Sequence, residues 1–310
     1  MGGLVDFIII FIYTDIMTYT FRYNASSIPK IIWLYWNDTN LPPLEKSCYE
    51  RIKKLHPDFK IILINMENEK EYVPDDVFKI KHAQSSLQKR ANYIRAWVLK
   101  EHGGIWIDMA SYLNKRITFC RGVDCDLNSQ HIQLNNDYEF NGYYLYITED
   151  DVPFVENWFI AVKKHSVVMK YWWDEMVKID SYETIKDWQN AHEGLNYGGV
   201  MEDYLTMHQA MLITLRKYPQ LKNKMYLKPA INGPLKLAQM CDWDMFGKNV
   251  KLMQEQEQLP YIKIRKYDKK SKSLDFLIES ENYLRFDQLF IVIILLGSLL
   301  FICSIIKNKY

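Results

Sequence analysis

From residue 28 onward, short apolar runs alternate with stripes of apolar residues at helical spacing. Residues 28–36, IPKIIWLYW, are β-branched and aromatic and predict a first buried strand. Polar residues 37–40 and the pair Pro42 and Pro43 break it. Leu44, Cys48, Ile52 and Leu55 then recur at spacings of four, four and three, the stripe of an amphipathic helix that stops at His56 and Pro57. Residues 59–64, FKIILI, predict a second strand. Strand, helix and strand in this order form a βαβ unit, which favours a parallel sheet with helices on its faces.

A longer helix is predicted over residues 83–102, with Ala83, Leu87, Ala91, Ile94 and Val98 in one stripe and Gly103 and Gly104 as its stop. Residues 105–107 follow as a short buried strand. That order stands Asp108 at the carboxyl end of a strand, the edge at which α/β sheets bind ligands. Asn92 and Arg95, three apart, share a face beside the apolar stripe. Further on, residues 143–148 predict a strand, 155–164 a helix or a strand and turn, and 203–218 an amphipathic helix. No repeat is present, and no Pro/Gly/Ser linker cuts residues 28 to about 260 into two domains.

Two segments fall outside this scheme. Residues 289–306, LFIVIILLGSLLFICSII, run for eighteen positions without a charge. As a helix they reach about 27 Å, close to a bilayer's hydrocarbon thickness, and predict a single C-terminal membrane anchor. Lys266, Lys269, Lys270 and Lys272 precede the span, against Lys307 and Lys309 beyond it, a bias that places the large domain on the cytoplasmic side. Residues 261–288 are expected to be a basic linker, either solvated or lying on anionic headgroups. Residues 1–27 form an N-terminal segment whose apolar part, residues 7–13, lacks the basic region and cleavage site of a signal peptide.

Composition narrows the classes. A chain of 310 residues with 48% hydrophobic and 25% charged residues folds around a core, and a net charge of +1 supplies no field for a nucleic-acid partner. The five cysteines are scattered and imply neither a disulfide framework nor a zinc site, and a reducing compartment suits them. Aromatic residues reach 15%, a hint of surfaces on which rings stack. GxxxxGK[ST], GxGxxG, HExxH and GxSxG are all absent, so nothing signals a P-loop enzyme, a dinucleotide enzyme, a zinc protease or an α/β-hydrolase. What stands out is a constellation: Asn92 and Arg95, then Gly103, Gly104 and the strand into Asp108, set an amide, a guanidinium and a carboxylate around one sheet edge. Such a set suits a sugar diphosphate.

Three segments, IPKIIWLYW, RANYIRAWVLKEHGGIWID and VENWFIAVKKHS, resemble the capsular-polysaccharide-synthesis glycosyltransferases. These are relatives of the yeast-type initiating mannosyltransferases and, more distantly, of clostridial glucosylating toxins. The resemblance covers about residues 28–240 and is most specific in its central block. It implies a GT-A-like α/β fold, a Rossmann-like mixed sheet flanked by helices. It also implies a hexose transferred from a nucleotide-sugar donor to a glycan or lipid-linked acceptor with retention of configuration, and Mn²⁺ or Mg²⁺ as cofactor. Carried over residue by residue, Trp36 stacks on the donor base beside Tyr35, Asn92 and Arg95 contact the donor, and Gly104 belongs to the same block. Asp108 opens the Asp-x-Asp metal motif. Glu156, Asn157 and Trp158 lie toward the acceptor, and Asp203 and His208 are assigned to that side too.

Two positions depart from the family's pattern: Asn92 stands where an Asp is usual, and Ala110 replaces the second Asp of the motif. Ser111 is the nearest substitute ligand, but one carboxylate alone makes a poor cage for a divalent ion. These departures keep open an alternative, a catalytically silent protein that retains the sugar-nucleotide pocket.

Overall fold

The protein, seen in a computed structural model, is described for residues 27–125, 131–192, 202–246, 248–266 and 268–278. Strand β1 (Ile31–Tyr35) leads through helix α1 (Pro43–Leu55) to β2 (Lys60–Ile64), and the two strands pair in parallel, as the βαβ reading requires. The helix expected over 83–102 is two helices. A short α2 (Lys81–Gln84) precedes α3 (Leu87–His102), because Ser86 takes an extended conformation and its hydroxyl caps the new helix by accepting from the Lys89 amide. Strand β3 (Gly104–Ile107) follows at once.

The turn from α3 into β3 needs both glycines. Gly103 and Gly104 adopt φ of 65° and 95°, and a Cβ at Gly104 would lie 2.8 Å from the Ile31 carbonyl oxygen on β1. The Trp33 indole fixes the same corner by donating to the Gly103 carbonyl at 2.8 Å. Close approach here lets β3 lie parallel to β1, with Trp33 opposite Trp106.

Beyond β3 come β4 (Ser111–Leu113), β5 (Ile117–Cys120), β6 (Ile132–Asn135), β7 (Phe140–Ile147) and β8 (Pro153–Val162). Of residues 155–164, read as a helix or a strand and turn, 155–162 belong to β8 and 163–164 leave it, and all ten residues of the strand are buried. Helices α4 (Val167–Lys178) and α5 (Thr206–Lys217), then β9 (Met225–Pro229) and β10 (Tyr261–Lys263), complete the elements needed here. The main sheet has the order β2-β1-β3-β8-β7-β9 and is mixed, since β8 runs antiparallel to both β3 and β7.

Both faces of that sheet are covered. Trp33, Ile64, Trp106 and Ile160 pack against α3, α4 and α5 on one face, and Ile32, Leu34, Ile105 and Phe159 form a second core with Ile52 of α1 on the other. Helix α5 was expected to be amphipathic, yet its first ten residues are all buried, because it is wedged between α4 and β8.

Two further corrections follow. Cys120 and Cys125 form a disulfide, against the expectation of unpaired thiols. The supposed linker is folded where it is described: β10 pairs antiparallel with β4, and Ile262, Ile264, Leu274 and Leu277 join a third core with Leu44, Cys48 and Ala110. Residues 7–13 and the span 289–306 lie outside the described residues, and no helix among the described residues is long and apolar enough to cross a membrane.

Candidate functional site

A cavity of about 690 Å³ opens at the carboxyl ends of β1 and β3. Its floor is the constellation expected from the sequence. Arg95, only 4% exposed, points from α3 at the end of β3, where its Nη2 donates to Asp108 Oδ1 at 2.7 Å. Its Nη1 donates to Asn92 Oδ1 at 3.1 Å, and the guanidinium carbon lies 4.8 Å from the centre of the Trp106 ring. The helical spacing of three between Asn92 and Arg95 thus produces a direct contact. Asn157 of β8 reaches the same Asn92 oxygen at 3.5 Å.

Asp108 is the centre of this network. Oδ1 accepts from both Arg95 and the Trp106 indole (3.0 Å), and Oδ2 accepts from Lys263 Nζ at 2.9 Å. Burial pushes the carboxyl up. The charges of Lys263 and then Arg95, with the Trp106 hydrogen bond, outweigh it and hold the pKa at about 2. The side chain is a permanent anion at neutral pH.

Trp36 and Tyr35 stand on one wall. Trp36 follows β1, its amide donating to the Ile64 carbonyl at 3.0 Å, and its partly exposed ring has Lys269 Nζ at 5.2 Å from the centre. Tyr35 is buried beside the Glu69 and Arg90 ion pair, and burial raises its hydroxyl to about 12. On the opposite wall, Glu156, Asn157 and Trp158 of β8 line the cavity. His208 of α5 joins them, its Nε2 3.4 Å from Glu156 Oε2 and its ring stacked on Phe154 at 5.2 Å. Trp158 also locks the floor, its carbonyl accepting from the Asp108 amide at 2.9 Å.

Two candidates fall elsewhere. Gly104 lies under β1 and serves the strand packing described above, not the cavity. Asp203 is exposed outside the lining, 3.9 Å from Lys89.

The metal motif does not have the donor set for Mn²⁺ or Mg²⁺. Ala110 offers no side-chain oxygen, and its carbonyl accepts from the Ile264 amide at 3.0 Å. Ser111 is fully buried and its hydroxyl accepts from Tyr261 at 2.9 Å. The one remaining carboxylate already holds two cationic side chains. Among the described residues no group of three His, Cys, Asp or Glu could hold a metal ion, so the residues present do not fit a divalent cation at this position.

The sequence reading passed over an entire side of the cavity. Lys263, Arg265, Lys266 and Lys269 line it, all from the segment read as a linker. The alternation of Tyr261, Ile262, Lys263 and Ile264 was the available signal, but a strand of three residues in a basic stretch is too short to separate from a tether.

The chain is 28% identical over 101 residues to inositol phosphoceramide mannosyltransferase 3 of Schizosaccharomyces pombe, covering 30% of this chain and 27% of that one. It is 25% identical over 165 residues to the O-glycosyltransferase braB of Annulohypoxylon truncatum, covering 48% of this chain and 37% of that one. The matched stretches thus span between 27% and 37% of these curated relatives' own length. Among solved structures, the PaToxG glycosyltransferase aligns with a TM-score of 0.40 at 15% identity, over 87% of this chain and 94% of that one. The family model described as capsular polysaccharide synthesis protein matches residues 12–277, the β10 segment included, and the chain belongs to that family.

Proposed function

We propose that the protein is a glycosyltransferase that moves a hexose from a nucleotide-sugar donor to a glycan or lipid-linked acceptor, on a GT-A-like fold. The observation that carries this reading is the floor of the cavity: Asn92, Arg95 and Asp108 joined at the carboxyl edge of β3, with the Trp36 ring on the adjoining wall. A buried guanidinium held by a carboxylate is a rigid donor for sugar or phosphate oxygens, and a partly exposed indole is a platform for a base.

In the transfer, the acceptor hydroxyl oxygen bonds to the sugar's anomeric carbon as the bond from that carbon to the diphosphate breaks. The electron pair leaves on the diphosphate oxygen, which takes the hydroxyl proton. Preorganised positive charge close to that oxygen lowers the barrier, and Arg95 supplies it without reorganisation because Asp108, Asn92 and Trp106 fix it beforehand. Glu156, Asn157 and His208 face the same space from β8 and α5 and orient the acceptor. Retention of configuration belongs to this proposal on the strength of the family resemblance. So does attachment to a membrane through residues 289–306; the lysine bias favours a cytoplasmic domain, and the Cys120–Cys125 disulfide favours an oxidising compartment instead.

The test is a panel of nucleoside diphosphates and nucleotide sugars, followed by thermal stabilisation and by donor hydrolysis. One nucleotide series is expected to stabilise the protein and its sugar to be released, with both effects lost in Asp108→Ala. Silence across the panel would sink the proposal. A second reading is favoured by the capture of Asp108 between Arg95 and Lys263: a protein that binds the donor and does not transfer it. Stabilisation without hydrolysis or transfer selects that one.

A further inference from the structure

Resting on the donor-site reading above, we infer that Lys263 occupies the role a divalent cation plays beside a metal-binding aspartate: its ammonium binds the donor's diphosphate directly, and this chain takes nucleoside diphosphates without metal.

The position argues for it. Lys263 Nζ sits 2.9 Å from Asp108 Oδ2, on the carboxylate oxygen that Arg95 and Trp106 leave free. A divalent ion bound there would meet a fixed ammonium at contact distance, a strong like-charge repulsion in a partly desolvated site. The ammonium also faces the cavity, which a purely structural lysine need not do.

The placement is built rather than incidental. β10 pairs with β4 in a register that sets Lys263 opposite Ser111, and the Lys263 amide donates to the Pro234 carbonyl at 2.8 Å. The side chain is 11% exposed and its Nζ lies 5.8 Å from the centre of the Trp158 ring. A flexible four-carbon stem is therefore confined to one place, where less rotamer entropy remains to be lost on binding.

Charge balance points the same way. Of the cations on this wall, Arg265 is matched by Asp268 and Lys269 by Glu45, each acid being buried. Arg95 and Lys263 share the single charge of Asp108 and leave one positive charge over, and exposed Lys266 adds another. The diphosphate diester of a nucleotide sugar bears roughly one negative charge per phosphate, which the surplus on this wall offsets in part, against the Glu156 carboxylate opposite. An ammonium is a point charge with three donors, suited to phosphate oxygens while keeping its contact to Asp108.

The experiment is calorimetric titration of the full chain with UDP and GDP, in excess EDTA and in excess Mn²⁺. The inference expects binding in EDTA to be at least as tight as in Mn²⁺, because the site gains no ligand from the metal and Mn²⁺ competes with Lys263 for the diphosphate oxygens. Lys263→Met is expected to weaken binding at least about tenfold, the worth of one charged hydrogen bond, while Lys263→Arg keeps most of it. Lys263→Met retains the Arg95 and Trp106 contacts of Asp108, and the thermal melt of Lys263→Arg guards against misfolding. In the double variant Ala110→Asp with Lys263→Ala, binding is expected to come back only with Mn²⁺. Wild-type binding that requires Mn²⁺, or a Lys263→Met affinity equal to wild type while Trp36→Ala weakens it, overturns the inference and leaves the donor site standing. No binding of either nucleotide in any medium overturns both.

Discussion

The two walls of the cavity that meet at Asp108 are made in opposite ways. The α3 and β3 wall is local and dry: Asn92, Arg95 and Asp108 lie within seventeen consecutive positions, and packing against Trp106 and Met207 fixes them. The β10 wall is remote and wet. Lys263 reaches Asp108 across a separation of 155 residues, and Arg265, Lys266 and Lys269 continue from it toward solvent. The first wall is fixed by its own contacts before anything binds. The second depends on a three-residue strand and on cations whose balance changes when an anion arrives. An anion site needs both, one to fix direction and one to supply charge.

Perturbing the shared carboxylate should do the most damage. Asp108→Ala leaves Arg95 buried without its counter-ion, so a loss of about 3 kcal/mol in denaturant unfolding is expected together with loss of nucleotide binding. Asp108→Asn, which keeps the shape, should retain more stability than Ala; equal losses would mean that the charge carries the whole effect and the shape none. Striking the packed wall away from the cavity comes next. Gly104→Ala forces a Cβ toward the Ile31 carbonyl at positive φ and should cost about 1–3 kcal/mol, with nucleotide affinity kept in the folded fraction. A neutral result would remove the close approach of β1 and β3 from the account.

Trp36→Ala should lower nucleotide affinity by about tenfold, the scale of one base stacked on an aromatic ring, and leave the melting temperature nearly unchanged. Acidification probes the cavity floor and the packing behind it together. His82, packed under Thr206, is held near 4 by burial and then by Lys89, below its ordinary 6.5. Asp108 is held at about 2, below its ordinary 3.8. For His82 the unfolded chain binds the extra proton as pH falls below 6.5. For Asp108 it does so below 3.8. Stability should therefore be level near neutrality and decline in two stages, the first reduced in His82→Gln and the remainder of it carried by His56 and His102, which burial also holds below 6.5. A single decline in that variant and in wild type alike would contradict the assignment. The smallest effect is expected at Asp203→Ala, an exposed acid 3.9 Å from Lys89, with a change within about 0.5 kcal/mol and unaltered nucleotide affinity.

What could be seen in the sequence follows the same division. Asn92, Arg95 and Asp108 were visible because helical spacing and a glycine stop bring near neighbours in sequence together in space. Their partner Lys263 was not, since no local pattern encodes contact across the whole domain. Charge alone then suggested a tether or a headgroup surface. The break at Ser86 was hidden because the apolar stripe continues through it, and only the cap by the serine hydroxyl marks two helices. Ten buried residues in β8 show no alternation because both its faces are covered, which left helix and strand undecided. Glu156 and His208 were each assigned to the acceptor side without sign of their pairing. Cys120 and Cys125, five apart, carry no spacing that announces a bond.

The β10 and β4 pairing also has a consequence during synthesis. Asp108 leaves the ribosome well before Lys263, and at about 5–20 residues per second the interval for 155 residues is on the order of ten seconds. For that time the nascent chain carries the carboxylate and Arg95 without the closing strand. The closing strand comes after every strand of the main sheet, so a chain interrupted between residues 230 and 260 contains the whole sheet and an incomplete site.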